Sequence, residues 1–393
     1  MKTMKSRKKV LILFAVVALA AAGLAPSKAP AKPAAPKAKK ASVAAAPAAG
    51  PGLEKQIADF VALYLPWDPD SRVTVESSPL KLPGFSAWHV VRTGRYPTLK
   101  ADAVVFISND RKWFFEGDSF LNPKPQVPRT DADVKWVTAR YSQLLGAKVT
   151  AELVPSTDAA GMKGIAVILE SGYGPVRVPG HVSADGGVFL AGNLWDFQGD
   201  PRAERRKRID LSAQRASGPA DAPVNIAEYA DMECQYCRFR GRQLDKLLSA
   251  NAGVVSVRRH YKFFPLWSHH AWAMKAASAA DCLFRLSGDP AMLRFKELAY
   301  GRQENMSVSA VDELAITSAE GEGVPRNDFL GCYLRDESFD RVRKDMDEGY
   351  RLGVNSTPTY FVDGTQINWT EDKVMEDFLR TKFPRIKTIV YEQ

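Results

Sequence analysis

Cysteine is scarce in this chain: there are four in 393 residues, and only Cys234 and Cys237 stand close together. A structural zinc site needs a second Cys or His pair at comparable spacing, and the single Cys282 and Cys332 do not supply one. Of the five histidines, His89 and His181 show no ligand-like pairing, and no metal is implied. The apolar run Val10–Ala25 has 16 residues, short of the roughly 20 that span a bilayer. Positive charge is missing where it would matter. Residues 1–52 hold ten Lys/Arg and no acid, leaving 44 basic against 45 acidic residues in the rest, despite a formal net charge of +9. The folded part is neutral, which excludes an electrostatic footprint for nucleic acid.

What is present at the start is a basic stretch, Met1–Lys9, followed by that apolar run and small residues. This is the layout of a secretory signal over residues 1–25, either removed or retained as an inner-membrane anchor. Both readings put the chain in the periplasm or cell envelope, where disulfide chemistry is permitted. Residues 26–52 are almost wholly Ala, Pro and Lys. Such a segment buries no core and reads as an extended tether, reaching on the order of 80 Å at about 3.1 Å per residue.

Residues 53–203 repeat with a period near 75. Val73-Thr-Val-Glu76 recurs as Val149-Thr-Ala-Glu152, and Ser108, Asp110 and Gly117 recur as Ser183, Asp185 and Gly192. Ordered matches of this kind indicate tandem duplication. The copies are placed at 53–128 and 129–203. Each reads as a helix (Leu53–Leu65, Asp131–Leu145) followed by strands, Trp88–Arg92, Ala103–Ile107 and Lys112–Glu116 in the first. An α+β module with an antiparallel sheet is expected. Residues 204–222 form a linker, and the basic cluster Arg202–Arg208 reads as a solvated interdomain face.

From 223 to 393 the pattern changes. The apolar run Pro223–Ala230 reads as a buried strand and Arg238–Leu248 as a helix, with Cys234-Gln-Tyr-Cys237 at their junction. Paired cysteines in that position form a redox motif. The first lies at a helix N-terminus, where unpaired N–H groups favour a thiolate, and the second is close enough to resolve a mixed disulfide. Beyond lie a β-rich run, Val254–Phe264, and helices at Trp267–Leu286, Ala291–Tyr300, Val308–Ser318 and Phe339–Leu352. They are followed by a strand, Thr359–Val362, a hairpin turn at Asp363-Gly364, a helix, Glu371–Leu379, and a terminal strand, Thr388–Tyr391. The helical insertion spans about 267–352.

Residues 217–393 resemble the thioredoxin-fold disulfide oxidoreductases of the bacterial Dsb type. The resemblance rests on the Cys234–Cys237 pair, on Glu228 six residues before it, and on Asn355-Ser-Thr-Pro-Thr359 before a strand. Phe264-Pro-Leu266, His269-His270-Ala-Trp272 and Cys282 add to it. It implies an α/β thioredoxin fold, with Pro358 in a cis-proline loop opposite the cysteines and Thr357 before it. A cis bond would leave the Thr357 backbone free to pair with an extended substrate, whereas a trans proline would merely enter the strand. Glu228 is either a buried acid with a raised pKa that exchanges a proton with Cys237, or a half-exposed strand residue. Tyr236 tunes thiolate stability. Cys282 and Cys332 form a structural disulfide or remain two buried thiols. Trp267, Phe263 and Phe264 line a groove or belong to the core.

Ser183-Ala-Asp-Gly186, Gly192 and Asn193-Leu-Trp-Asp196 resemble the cystatin-like domain of periplasmic disulfide isomerases, which dimerises those proteins. Two copies in one chain are expected to pair with each other as a pseudo-dimer. The function implied is an envelope thiol–disulfide oxidoreductase, without metal or organic cofactor, acting on protein substrates with thiols or disulfides and recycled by a redox partner. Two alternatives stand beside it: an isomerase or reductase rather than an oxidase, and a non-enzymatic envelope binding protein that works through the duplicated module.

Overall fold

Each half of the N-terminal repeat ends in the other half's sheet. The computed structural model describes residues 52–122, 135–140, 142, 149–154, 159–212 and 215–390. Helix α1 (Leu53–Tyr64) buries Leu53, Ile57, Phe60 and Val61, whose spacing puts them on one face. It packs on the antiparallel strands β1 (Arg72–Ser77), β2 (Phe85–Thr93), β3 (Ala101–Ser108) and β4 (Trp113–Phe115). The chain then leaves this sheet as β5 (Asp118–Leu121). The second half repeats the plan with helix α2 (residues 135–140) and strands β6 (Val149–Leu153), β7 (Met162–Ser171), β8 (Gly174–Ser183) and β9 (Val188–Ala191), and then leaves as β10 (Leu194–Asp196). The sheet orders are β1-β2-β3-β4-β10 and β5-β9-β8-β7-β6, so the final strands are exchanged. Leu194 pairs with Phe115, and Ser119 with Leu190.

The duplication extends to hydrogen bonds. Ser108 Oγ donates to Asp110 and accepts from Trp113 N, as Ser183 Oγ does with Asp185 and Val188 N. Gly117 (φ 148°) and Gly192 (φ 132°) redirect the chain just before each exchanged strand. A Cβ at Gly117 would lie 2.6 Å from the Ala191 carbonyl, which reserves the position for glycine. The exchange carries Trp195 into the first copy's core, beside Tyr64 and Phe60.

The C-terminal domain is a mixed sheet in the order β11-β13-β12-β14-β15. Its strands are β11 (Ala216–Ser217), β12 (Val224–Ala230), β13 (Val257–Phe263), β14 (Thr359–Val362) and β15 (Thr365–Ile367). Strands β12 and β13 are parallel and joined through α4 (Gln235–Ala250); β14 runs antiparallel to β12. Asp363 and Gly364 both take positive φ in the β14–β15 turn. The helical insertion holds α5 (Ala273–Gly301), α6 (Val308–Gly321), α7 (Arg326–Tyr333) and α8 (Asp336–Arg351); α9 (Val374–Lys382) follows the sheet.

Several boundaries differ from expectation. The first insertion helix starts at Ala273, not Trp267, and runs on into the second across a kink at Gly288, two residues before Pro290. The terminal strand does not form, and residues 386–390 are irregular, with Tyr391 outside the described residues. Their donors go to side chains instead: Lys387 N to Asn251, and Thr388 Oγ1 and Ile389 N to Glu376. The leader and nearly all of the tether also lie outside the described residues. Among the described residues, no helix is long and apolar enough to cross a membrane.

The basic cluster proves only partly solvated. In α3 (Pro201–Arg208), capped by Asp200, Arg205 is 1% exposed. Its guanidinium lies over the rings of Tyr64, Trp195 and Phe361 and donates to the Tyr64 carbonyl. Phe361 belongs to the C-terminal sheet, so one buried cation joins the two parts. Tyr96 Oη to Asp377, Trp67 N to the Gln366 carbonyl and Asn193 to the Tyr350 carbonyl are among the bonds that add to the docking.

Candidate active site

Strand β12 delivers a short loop, Asp231–Cys234, to the start of α4. Cys234 is the N-cap: its Sγ accepts from Cys237 N at 3.4 Å and its thiol donates to the Thr357 carbonyl at 3.4 Å. Cys237, one turn into the helix, is fully buried, and both thiols are free. The two sulfurs are therefore unlike. The hydrogen bond from the Cys237 thiol, with those from Thr357 and the Cys237 N–H, lowers the Cys234 pKa to about 6 against the opposing effects of burial and Asp231. Burial, and the neighbouring Cys234 sulfur, push Cys237 well above its usual value.

The Thr357–Pro358 peptide is cis, and β14 begins at the next residue. This places Thr357 directly against the Cys234 sulfur. The buried Thr357 hydroxyl is beside that sulfur and is among the groups that lower its pKa. Tyr236, between the cysteines, is 72% exposed, and Phe239 lies one turn on at the surface. Cys282 and Cys332 are bonded to each other, fastening α5 to α7 across a sequence separation of 50. Phe263 and Phe264 are core residues, while Trp267 is partly buried against that core.

Glu228 is buried as expected, yet its protonation runs opposite to expectation. Burial raises its pKa, but Arg259 and Lys296 outweigh burial and the net direction is down. Arg259 Nε donates to Glu228 at 2.7 Å and Tyr360 Oη donates at 3.3 Å. Glu228 is an ionised member of a buried ion pair, so a raised-pKa proton exchange with Cys237 is overturned. Tyr360 and Tyr300 face both Glu228 and the Cys237 sulfur.

The acid that meets the pair is Asp231. Its N–H donates to Cys237 Sγ at 3.4 Å and its carbonyl accepts from Cys234 N at 3.2 Å. Its buried carboxylate accepts from Glu233 N, Leu266 N and His270 Nδ1, each at 2.7 Å. Glu233 in turn accepts from Trp272 N, and Gln303 donates to the Met232 and Cys234 carbonyls. The entry to the helical insertion thus bolts down the cysteine loop. None of Asp231, Glu233 or Gln303 was singled out by sequence, and His270 was noted only for resemblance; an Asp three residues before the first cysteine was the available signal. Among the described residues, no group of three or more His, Cys, Asp or Glu could hold a metal ion.

A dithiol thus caps a helix and faces a cis-proline strand on a mixed sheet. A family model described as Thioredoxin matches residues 211–380. The probable disulfide bond formation protein D of Bacillus anthracis is 23% identical over 185 residues, covering 46% of this chain and 84% of that protein. The C-terminal domain is thus similar to Dsb-type thioredoxin-fold oxidoreductases. The Na(+)/H(+) antiporter NhaA 3 of Salinispora tropica is 28% identical over 156 residues, 40% of this chain. The chain spans only about a fifth of that antiporter's length (22%). Among solved structures, oxidised BdbD from Bacillus subtilis matches 44% of this chain and 95% of its own, with 19% identity and a TM-score of 0.40. Alpha-DsbA1 of Wolbachia pipientis covers 46% and 96%, with 17% identity and a TM-score of 0.39.

Proposed function

We propose that the chain is an envelope thiol–disulfide oxidoreductase that exchanges disulfides with protein substrates through Cys234 and Cys237. The observation that carries this reading is the asymmetry of the two thiols, one held acidic at a helix start and the other buried and protonated. In the oxidised state a substrate thiolate attacks Cys234 Sγ. The Cys234–Cys237 bond breaks, and Cys237 leaves as a thiolate and takes a proton. A second substrate thiolate then attacks the substrate sulfur of the mixed disulfide. The substrate disulfide forms, and Cys234 leaves as the stabilised thiolate. The substrate has lost two electrons, which an unidentified recycling partner must accept to restore the pair. Stabilising the reduced form in this way favours disulfide donation.

Thr357 and Pro358 dock the substrate backbone beside Cys234, and the exposed Tyr236 meets its side chains. Glu228, ionised against Arg259, holds the floor of the site. The two exchanged copies serve as an internal pseudo-dimer carrying one redox head, on unit boundaries of 53–128 and 129–203. The basic and apolar residues 1–25 support export, with anchoring or cleavage at the inner membrane. Trapping tests the reading. The full-length Cys237→Ala variant is expected to accumulate mixed disulfides on Cys234 with envelope proteins. No capture, together with flat insulin-reduction traces for the unmodified chain, removes it.

A further inference from the structure

Asp231 is positioned to act on both sulfurs, and one side chain balances its charge. Its main chain contacts Cys234 and Cys237, while its carboxylate, fully buried, receives the His270 imidazole at 2.7 Å. His270 is 24% exposed at its side chain and comes from the segment between β13 and α5, so it reports to solvent while touching the core of the loop. We propose that Asp231 and His270 form a charge-compensating pair that sets how readily Cys234 carries its negative charge, His270 being a positioning residue that acts through Asp231. The proposal rests on the thiol chemistry above and adds to it a control element.

The electrostatic surroundings are few. A bare Asp231 carboxylate opposes a thiolate at either cysteine. An imidazolium beside it cancels that opposition. The groups facing His270 are Asp231 and Glu233 on the loop and the Cys234 sulfur; they hold it in its charged form to a higher pH than usual, against the effect of burial. The groups facing Cys237 from α5 and β14 are Tyr300 and Tyr360, and Glu228 of β12 faces both tyrosines. Burial pushes both tyrosines well above their usual range, so they stay neutral. Glu228, paired with Arg259, stays ionised. His270, held charged to a higher pH than usual, is thus the titratable cation that balances Asp231 beside the thiols. As pH rises through its titration, the uncompensated Asp231 makes the Cys234 thiolate costlier.

Ultraviolet thiolate absorbance of the reduced full chain, followed against pH, tests this. His270→Gln keeps a donor to Asp231 but removes the charge, and is expected to raise the Cys234 midpoint by about half a unit or more, about threefold in the thiolate-to-thiol ratio. Asp231→Asn is expected to lower it by a similar amount. In the double variant the His270 effect should vanish. A midpoint unmoved by His270→Gln, shifts of the same sign in both variants, or simple additivity overturns the proposal. If Asp231→Asn does not fold, the His270→Gln titration decides alone. The measurement needs no turnover. A chain inactive on insulin whose midpoint moves as stated sinks the oxidoreductase reading and keeps this one, and the reverse outcome does the opposite.

Discussion

The two cysteine pairs of this domain occupy opposite environments, although Cys237 and Cys282 are equally inaccessible to solvent. Cys234 and Cys237 sit at the mouth of α4, where one backbone donor reaches each sulfur and a carbonyl meets that of Cys234. Cys282 and Cys332 sit within α5 and α7, with Cα atoms 5.9 Å apart, and are bonded to each other. Burial alone does not decide whether a thiol is reactive or structural. Nor does a donor at hand, since Arg341 reaches both Cys282 and Cys332; Cys234 differs in capping the N-terminus of α4, where the charge of a thiolate is provided for.

Three measurements would break or sharpen that contrast. The largest effect is expected from Glu228→Gln, which strands the Arg259 guanidinium in the floor of the first pair and should cost about 3–5 kcal/mol in chemical denaturation. A much smaller loss would mean that Asp245, the other partner of Arg259, suffices. Next, replacing both Cys282 and Cys332 by Ala opens a loop of about 50 residues and should cost about 4 kcal/mol on the chain-entropy account. Insulin reduction at low temperature should survive, because the exchange chemistry lies elsewhere. Loss of activity without loss of structure would show the second pair to be part of the chemistry.

The third compares reduced with oxidised protein. Cys234 is an acid whose folded pKa is depressed to about 6, so its contribution is present above its unfolded value and is lost as pH falls through about 6. Only the reduced form has this thiol. Its stability relative to the oxidised form should therefore rise between about pH 6 and pH 8, by about 2 kcal/mol. A flat difference would mean an ordinary thiol.

What could be read from sequence was what is local. Cys234-Gln-Tyr-Cys237 between a strand and a helix is one contiguous signal, and so is Thr357–Pro358 before β14. The duplication was legible in its offsets down to the Ser108/Asp110 and Ser183/Asp185 turns. The exchange of β5 and β10 was not, because the choice of sheet depends on which edge is empty, and no nearby residue records that. Glu228 was misjudged for a similar reason. Its partner Arg259 lies 31 residues away on the neighbouring parallel strand, brought within reach only by the β12–β13 register. Arg205 looked like one charge in a basic run, and only the closing of Trp195 and Phe361 around it made it a core residue.

The reciprocal hand-over of β5 and β10 has a consequence for any attempt to pare the molecule down. Neither half can peel away without surrendering a row of ladder bonds, and the first would also lose its tryptophan wedge. A single copy produced alone would present one raw edge to water and carry one homeless strand. Each such fragment offers what its twin is missing, so truncation should turn an internal clasp into stickiness between molecules.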